Sequence, residues 1–166
     1  EDDVTAYLQF ENGATGVFVT TTGDAPGTNR FEVTGTLGKL VCENDELTFW
    51  KLSEDEREFC RTAKEGFAKP PCEKITVETD GENLQHVGVL NAFAGKILRG
   101  EPLVAEGCEG INGLTLSNAM HLSSWLGHPV EIPFDEELFL SELNKRRATS
   151  QKKESKEITF STEGTY

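Results

Sequence analysis

Groups able to move a proton, bind a metal or attack a carbonyl are sparse in this sequence of 166 residues: three histidines and four cysteines are the obvious ones. His86 falls in the first turn of a helix predicted from Leu84 to Arg99, where the positive end of the helix dipole disfavours an imidazolium. A neutral ring there can hydrogen-bond a ligand hydroxyl, or it can be satisfied by its own loop. His121 lies between the apolar and small-residue faces of a later helix and is expected to be a core histidine with a backbone partner, while His128 follows Gly127 in a turn. Cys42, Cys60, Cys72 and Cys108 show no CxxC and no accompanying histidine pair, so they read as reduced thiols in a cytoplasmic protein rather than as zinc ligands.

The densest polar cluster is the loop from Gly23 to Arg30. Thr22, Asp24, Thr28, Asn29 and Arg30 gather donors and acceptors at the mouth of a sheet, which is how several hydrogen bonds are brought to one polyhydroxyl ligand. Asn and Asp also stabilise turns, so a purely structural loop is the competing reading. The substrate-binding candidates are therefore Thr22, Asp24, Asn29, Arg30 and His86. No residue is assigned to catalysis, cofactor or metal: there is no GxGxxG between a strand and a helix, no Walker loop, no GxSxG and no HExxH. Gly107, Gly110 and Gly113 recur at an interval of three, which fits a closely packed helix start better than an anion site.

The elements that would position these groups follow from the periodicities. Residues Val4 to Phe10 alternate with period two, and Glu11-Asn12-Gly13 turns the chain back into a second strand from Ala14 to Thr22. Further strands are expected at Arg30 to Gly35, Lys39 to Glu43, Glu46 to Leu52 and, after a charged stretch from Ser53 to Pro71, Lys74 to Thr79. The period then lengthens. Val87, Leu90, Ala94, Ile97 and Leu98 mark a helix closed by Gly100, and Ile111, Leu114, Leu122 and Trp125 mark another, from about Glu106 to Leu126, closed by Gly127. A short strand at Val130 to Ile132 and a last helix from an Asp135 N-cap to about Arg147 complete the order. Strands followed by helices predict an α+β fold: an open, largely antiparallel mixed sheet of about six strands, helices on one face and the other face used for association. Tyr7, Phe18, Trp50 and Leu52 are the outward candidates, too apolar to face only water, and a second copy or a missing neighbour is expected to cover them.

Composition bounds the function. With 16 Lys+Arg against 29 Asp+Glu the net charge is −13, which repels phosphate backbones and anionic lipid, so neither nucleic acid nor membrane is an expected partner. No run of apolar residues is long enough for a membrane span, and the chain opens on Glu1-Asp2-Asp3 rather than a signal segment. Residues 1–144 hold 10 basic and 26 acidic side chains, but residues 145–166 hold 6 and 3. The sequence is accordingly divided into a folded body over 1–147 and a basic tail over 148–166, the latter either a docking patch or a solvated helix end.

Several segments together resemble the C-terminal domain of the Gfo/Idh/MocA oxidoreductases, the glucose-fructose oxidoreductase and inositol dehydrogenase family. They are the run from Val4 to Val17 around Glu11-Asn12-Gly13-Ala14-Thr15-Gly16, then Gly27-Thr28-Asn29-Arg30-Phe31-Glu32-Val33-Thr34-Gly35-Thr36-Leu37-Gly38-Lys39-Leu40. In the second half, His86 precedes Asn91-Ala92-Phe93-Ala94-Gly95-Lys96-Ile97-Leu98-Arg99-Gly100-Glu101-Pro102-Leu103, and Asn118 leads through His121 and Trp125 to Pro133. The resemblance implies a sheet whose free face serves subunit association, joined to an N-terminal Rossmann domain that binds NAD or NADP, with a sugar, cyclitol or related polyol as substrate. It places the Gly23 to Arg30 loop and His86 near substrate or the subunit interface. The family's Glu-Lys-Pro lysine and Asp-x-x-x-His helix are not among these residues, so the chain alone is expected not to catalyse hydride transfer. A two-domain dehydrogenase needs roughly 250 residues or more, which makes this about half an enzyme. A free-standing, non-catalytic assembly or sugar-binding domain of the same fold is the alternative.

Overall fold

The computed structural model describes residues 2–82 and 84–151. Six strands precede most of the helix: β1 Asp3–Gln9, β2 Thr15–Thr21, β3 Arg30–Gly35, β4 Gly38–Glu43, β5 Glu46–Leu52, α1 Glu56–Thr62, β6 Cys72–Val77, α2 Gln85–Arg99, α3 Gly110–Leu126 and α4 Glu136–Thr149, with one 3-10 turn at Gly107–Glu109. The α+β class and the open sheet agree with the sequence. The chain divides into two compact units after Glu101, the first holding every strand with α1 and α2, the second α3 and α4.

In the first unit β1 and β2 form a two-stranded antiparallel sheet, and β3, β4, β5 and β6 a four-stranded one in that order, with every pairing antiparallel. The single mixed sheet expected from the sequence is thus two sheets, because the long loop between β2 and β3, with Gly23, Pro26 and Gly27, sets no hairpin register. The register also separates two residues expected on the same side: Tyr7 pairs with Val17 and Phe18 with Ala6, so Tyr7 and Phe18 occupy opposite faces of the hairpin. Tyr7 is 64 % and Val17 69 % exposed, while Phe18 on the other side is 45 % exposed.

Cross-strand partners share a face, so the four-stranded sheet has one apolar side made by Phe31, Val33, Leu40, Leu47, Phe49, Ile75 and Val77. The opposite side carries Arg30, Glu32, Lys39, Glu43, Thr48, Trp50, Leu52 and Lys74 around Val41, the one buried hydrophobic residue of the described sheet. Here the Lys74 ammonium stands 5.3 Å above the Trp50 ring, a cation–π contact that leaves one ring face engaged.

Turn chemistry fixes the four-stranded sheet. Asn44 and Asp45 both take positive φ (52° and 60°), the two-residue turn whose twist suits a tight hairpin. Gly38 has φ +141°, and a Cβ built there would lie 2.2 Å from the Trp50 carbonyl oxygen. The turn before it is also an anchor: the Leu52 amide donates to Leu37 O (3.0 Å) and the Glu56 amide to Thr36 O (2.8 Å). Asp55 caps α1 by accepting from the amides of Arg57 (2.9 Å) and Glu58 (3.3 Å). This helix sits in the charged stretch that carried no apolar period, and the signal for it was Asp55 with Glu56 and Glu58 in the first turn and Arg61 in the last.

α2 ends as the sequence predicts, with Gly100 in the left-handed region donating to Gly95 O and Lys96 O. Its apolar residues Val87, Leu90, Ile97 and Leu98 are exposed. In the second unit Leu122 is only 1 % exposed where α3 meets α4, and Trp125 stacks on Phe139 at 5.5 Å with Arg146 4.3 Å over the Trp125 ring. Asp135 caps α4 as expected, accepting from the amides of Glu137 and Leu138. Residues 130–132 form no strand, since the alternation there finds no ladder partner. The last turn of α4 contains the first part of the basic segment, and the rest of the tail, residues 152–166, lies outside the described residues.

Replacing Gly38 by Ala should cost about 1–3 kcal/mol in urea denaturation, because the new Cβ meets main chain on a backbone that L residues avoid. Gly35→Ala is the control: nothing lies within 4 Å of its Cβ position, and its cost should stay within about 1 kcal/mol.

Candidate functional site

The loop between β2 and β3 begins firmly anchored. The Thr22 amide donates to Asp2 O at 2.9 Å and the Thr22 hydroxyl to the same oxygen at 3.4 Å, while the Gly23 amide donates to the Thr21 hydroxyl at 3.0 Å. Thr22 is thus spent on holding the loop to the start of β1. Asp24 and Asn29 are exposed along its crest, with both side chains open to solvent. Among the described residues neither makes a side-chain hydrogen bond, so both keep their polar capacity for a ligand.

Arg30 is placed differently from a free ligand-binding cation. It is the first residue of β3, directly opposite Glu43, and donates to the Glu43 carboxylate at 2.6 Å and to Glu32 on its own strand. Lys39 adds a 3.4 Å ion pair to Glu32 from β4. The hydrogen bond from Arg30, followed by that from Lys39, holds the Glu32 carboxyl below its ordinary value of 4.5, and the two carboxylates hold Arg30 still more firmly protonated. The group clamps the β3–β4 hairpin in register across its polar face. Because all four side chains are solvated, it acts mainly on register, as such surface pairs contribute little to stability.

His86 lies in the first turn of α2 and is exposed, next to Gln85, whose φ is +43°. Among the described residues no hydrogen bond joins it to Thr22, Asp24, Asn29 or Arg30. The loop therefore brings together Thr22, Asp24, Asn29 and Arg30 along one stretch of chain, and His86 stands apart on its helix. His121 is half-buried in the second unit with its ring 5.6 Å from Trp125, in keeping with a packed histidine. His128 is a turn residue whose Nδ1 lies 2.8 Å from Pro129 O, and its carbonyl accepts from the Ser123 hydroxyl at 2.9 Å. Cys42, Cys60, Cys72 and Cys108 are all free, exposed thiols, and among the described residues no three His, Cys, Asp or Glu side chains are grouped so as to hold a metal ion. The Cys60 thiol donates to Glu56, which pushes its ionisation up and makes it a poor nucleophile.

A family model described as the C-terminal alpha/beta domain of an oxidoreductase family, Gfo/Idh/MocA, matches residues 1–132. The chain belongs to this family as its C-terminal domain. A comparison with curated proteins returned no match. All five candidate site residues lie within the matched stretch, whereas α4 lies beyond it. Enzymes of this family are typically NAD(P)-dependent, and a dinucleotide's pyrophosphate sits on a glycine-rich turn between a strand and a helix start. Gly107 and Gly110 fall in a 3-10 turn and at the head of α3, with α2 rather than a strand as the element before them and with Glu106 and Glu109 beside the helix start. Those carboxylates would repel a pyrophosphate, and the glycines do not fit one.

Sequence reasoning missed two groups. Asp55, whose carboxyl is held low first by a hydrogen bond from Thr36, ties α1 to the β3–β4 turn; its signal was an N-cap followed by acidic residues. Phe67, between α1 and β6, is 100 % exposed and stood out only as an aromatic residue in a charged, weakly patterned stretch.

Glu32 sets a pH dependence. A carboxylate depressed in the folded state contributes stability that is complete above its unfolded value and is lost as pH falls through the folded one. Glu32→Gln should therefore lower the urea midpoint at neutral pH, and the gap between variant and parent should close on acidification from about pH 5 to pH 3. A gap that persists at the acid end would assign the effect to packing instead.

Proposed function

We propose that this domain is the substrate-side and subunit-association half of an NAD(P)-dependent oxidoreductase that acts on a sugar, cyclitol or related polyol. The observation that carries the reading is the loop between β2 and β3, in a chain of this family: Asp24 and Asn29 stand free on an anchored segment, an arrangement suited to the hydroxyls of a polyol. Arg30, held by Glu32 and Glu43, frames the loop rather than meeting the ligand with a free charge. His86 at the head of α2 supplies a second polar contact once the enzyme closes over its substrate.

Hydride transfer from a carbinol carbon to a nicotinamide releases the hydroxyl proton, which needs an acceptor beside the reacting oxygen. NAD or NADP would supply the hydride acceptor, bound by a Rossmann domain outside these residues, and the domain described here would orient the hydroxyls. The exposed apolar residues on β1, β2 and the four-stranded sheet support the association role, because a two-stranded hairpin with both faces in water is marginal by itself. A second copy of the domain is the proposed cover. The setting is cytoplasmic, where the four thiols stay reduced. Among the described residues no helix is long and apolar enough to cross a membrane.

Calorimetric titration of the chain with NAD and with NADP should give no binding. Joined to a family Rossmann half, the domain should support polyol oxidation, and the Asp24→Ala and Asn29→Ala variants should each raise KM about 5- to 50-fold with a smaller effect on kcat, as expected when one or two ligand hydrogen bonds are lost. Unchanged KM in both variants would remove the loop from the substrate site. Micromolar NAD binding by the chain alone would overturn the division of labour.

A further inference from the structure

We propose that Asn12 is a site of spontaneous covalent modification, at which the side-chain amide is lost through a cyclic imide and the turn of the β1–β2 hairpin is undone. Glycine follows Asn or Asp at three places in the chain: Asn12-Gly13, Asp80-Gly81 and Asn112-Gly113. A glycine in that position leaves its own nitrogen unhindered for attack on the preceding side chain, because it carries no Cβ. Asn12 is exposed, and its Oδ1 accepts from the Ala14 amide at 3.0 Å. A donor on that oxygen draws charge from Cγ and stabilises the oxyanion that forms when Cγ is attacked.

The step needs water alone. The Gly13 main-chain nitrogen gives up its proton and bonds to Asn12 Cγ, and the side-chain nitrogen leaves Cγ with that proton as ammonia. Water then opens the five-membered ring at one of its two carbonyl carbons. Opening at Cγ restores the ordinary peptide with an aspartate at position 12, and opening at the main-chain carbonyl leaves the chain running through Cγ as isoaspartate, one methylene longer.

Backbone restraint separates the three pairs. Nothing lies within 4 Å of the Cβ position at either Gly13 or Gly113, so crowding does not distinguish them. The Gly13 amide is held by a bond to Phe10 O at 2.9 Å, at the tip of a ribbon whose strands pair only with each other among the described residues. Such a tip opens at low free energy. Asn112 lies inside α3, and closing the ring there turns its ψ away from the helical value. Asp80 repeats the turn, with Oδ1 accepting from the Glu82 amide at 3.1 Å and Gly81 at φ +67°, but a carboxylate resists nucleophilic attack and has no ammonia to release. Asn12 therefore reacts first. Its turn sets the register in which Tyr7 meets Val17, and an extra methylene or a new carboxylate beside Glu11 removes the geometry that holds it.

The test holds the full chain at mildly alkaline pH and physiological temperature and follows it by peptide mapping in the mass spectrometer. In the folded chain position 12 should gain aspartate and isoaspartate at least tenfold faster than position 112, and in urea the two rates should converge. Asn12→Gln, whose ring would need a sixth member, should stop the reaction at that position. Hydrogen exchange over β1 and β2 should rise with age in the parent and stay constant in that variant. Equal rates at positions 12 and 112 in the folded chain would overturn the assignment of the site. Isoaspartate at position 12 with unchanged exchange over the hairpin would overturn its effect on the turn.

Discussion

The turn at Thr36 and Leu37 ties together three elements that sequence distance would otherwise leave independent. Its two carbonyls receive the amides of Leu52, at the end of β5, and Glu56, at the head of α1, while the Thr36 hydroxyl engages the cap Asp55. The chain leaves this turn through Gly38, which passes beside the Trp50 carbonyl on a backbone that only glycine adopts comfortably, so a side chain there would strain the turn. From that one passage follow the placement of the central strand, the stacking of the apolar residues down one side of the sheet, and the alignment of the charged residues on the other.

The charged side shows how register does electrostatic work. Arg30 and Glu43 are 13 positions apart in sequence yet directly opposite in the ladder, and Glu32 and Lys39 complete an alternation of sign across two strands. On a chain with such an excess of carboxylates, a neutral group of four is a local exception. Sliding β4 by one residue would send Lys39 to the apolar side and leave Glu32 with one fewer cation, so the pairs disfavour the wrong alignment even though each contributes little to stability in water.

Most elements were legible because their boundaries rest on single residues with a mechanical role. Gly100 and Gly127 stop α2 and α3 in the left-handed region, Asp135 starts α4, and Asn44-Asp45 bends β4 into β5. What the periods do not encode is which edges pair. Alternation identified β2 and β3 equally well but did not show that no ladder joins them, and it gave the segment from Val130 to Ile132 the look of a strand although among the described residues none pairs with it. α1 escaped for the opposite reason: with polar residues around most of its length it has caps but almost no stripe. At the candidate site, composition identified the loop, but the engagement of Arg30 depends on a partner across the hairpin that no local motif announces. Family membership over residues 1–132 was legible because it rests on the order of several segments rather than on any one of them.

The β1–β2 hairpin carries one further consequence. Among the described residues its strands bond only to each other, and Tyr7, Val17 and Val19 lie on one side with Phe18 on the other, all exposed. Such a ribbon holds its shape when something covers it and loosens when nothing does. If a second copy covers the hairpin as proposed, folding of this region and its burial are a single event, and a copy left without cover presents frayed strand ends and apolar side chains together, the features by which chaperones and proteases select their clients. The cellular amount of such a domain would be set less by its synthesis than by the supply of whatever surface completes it.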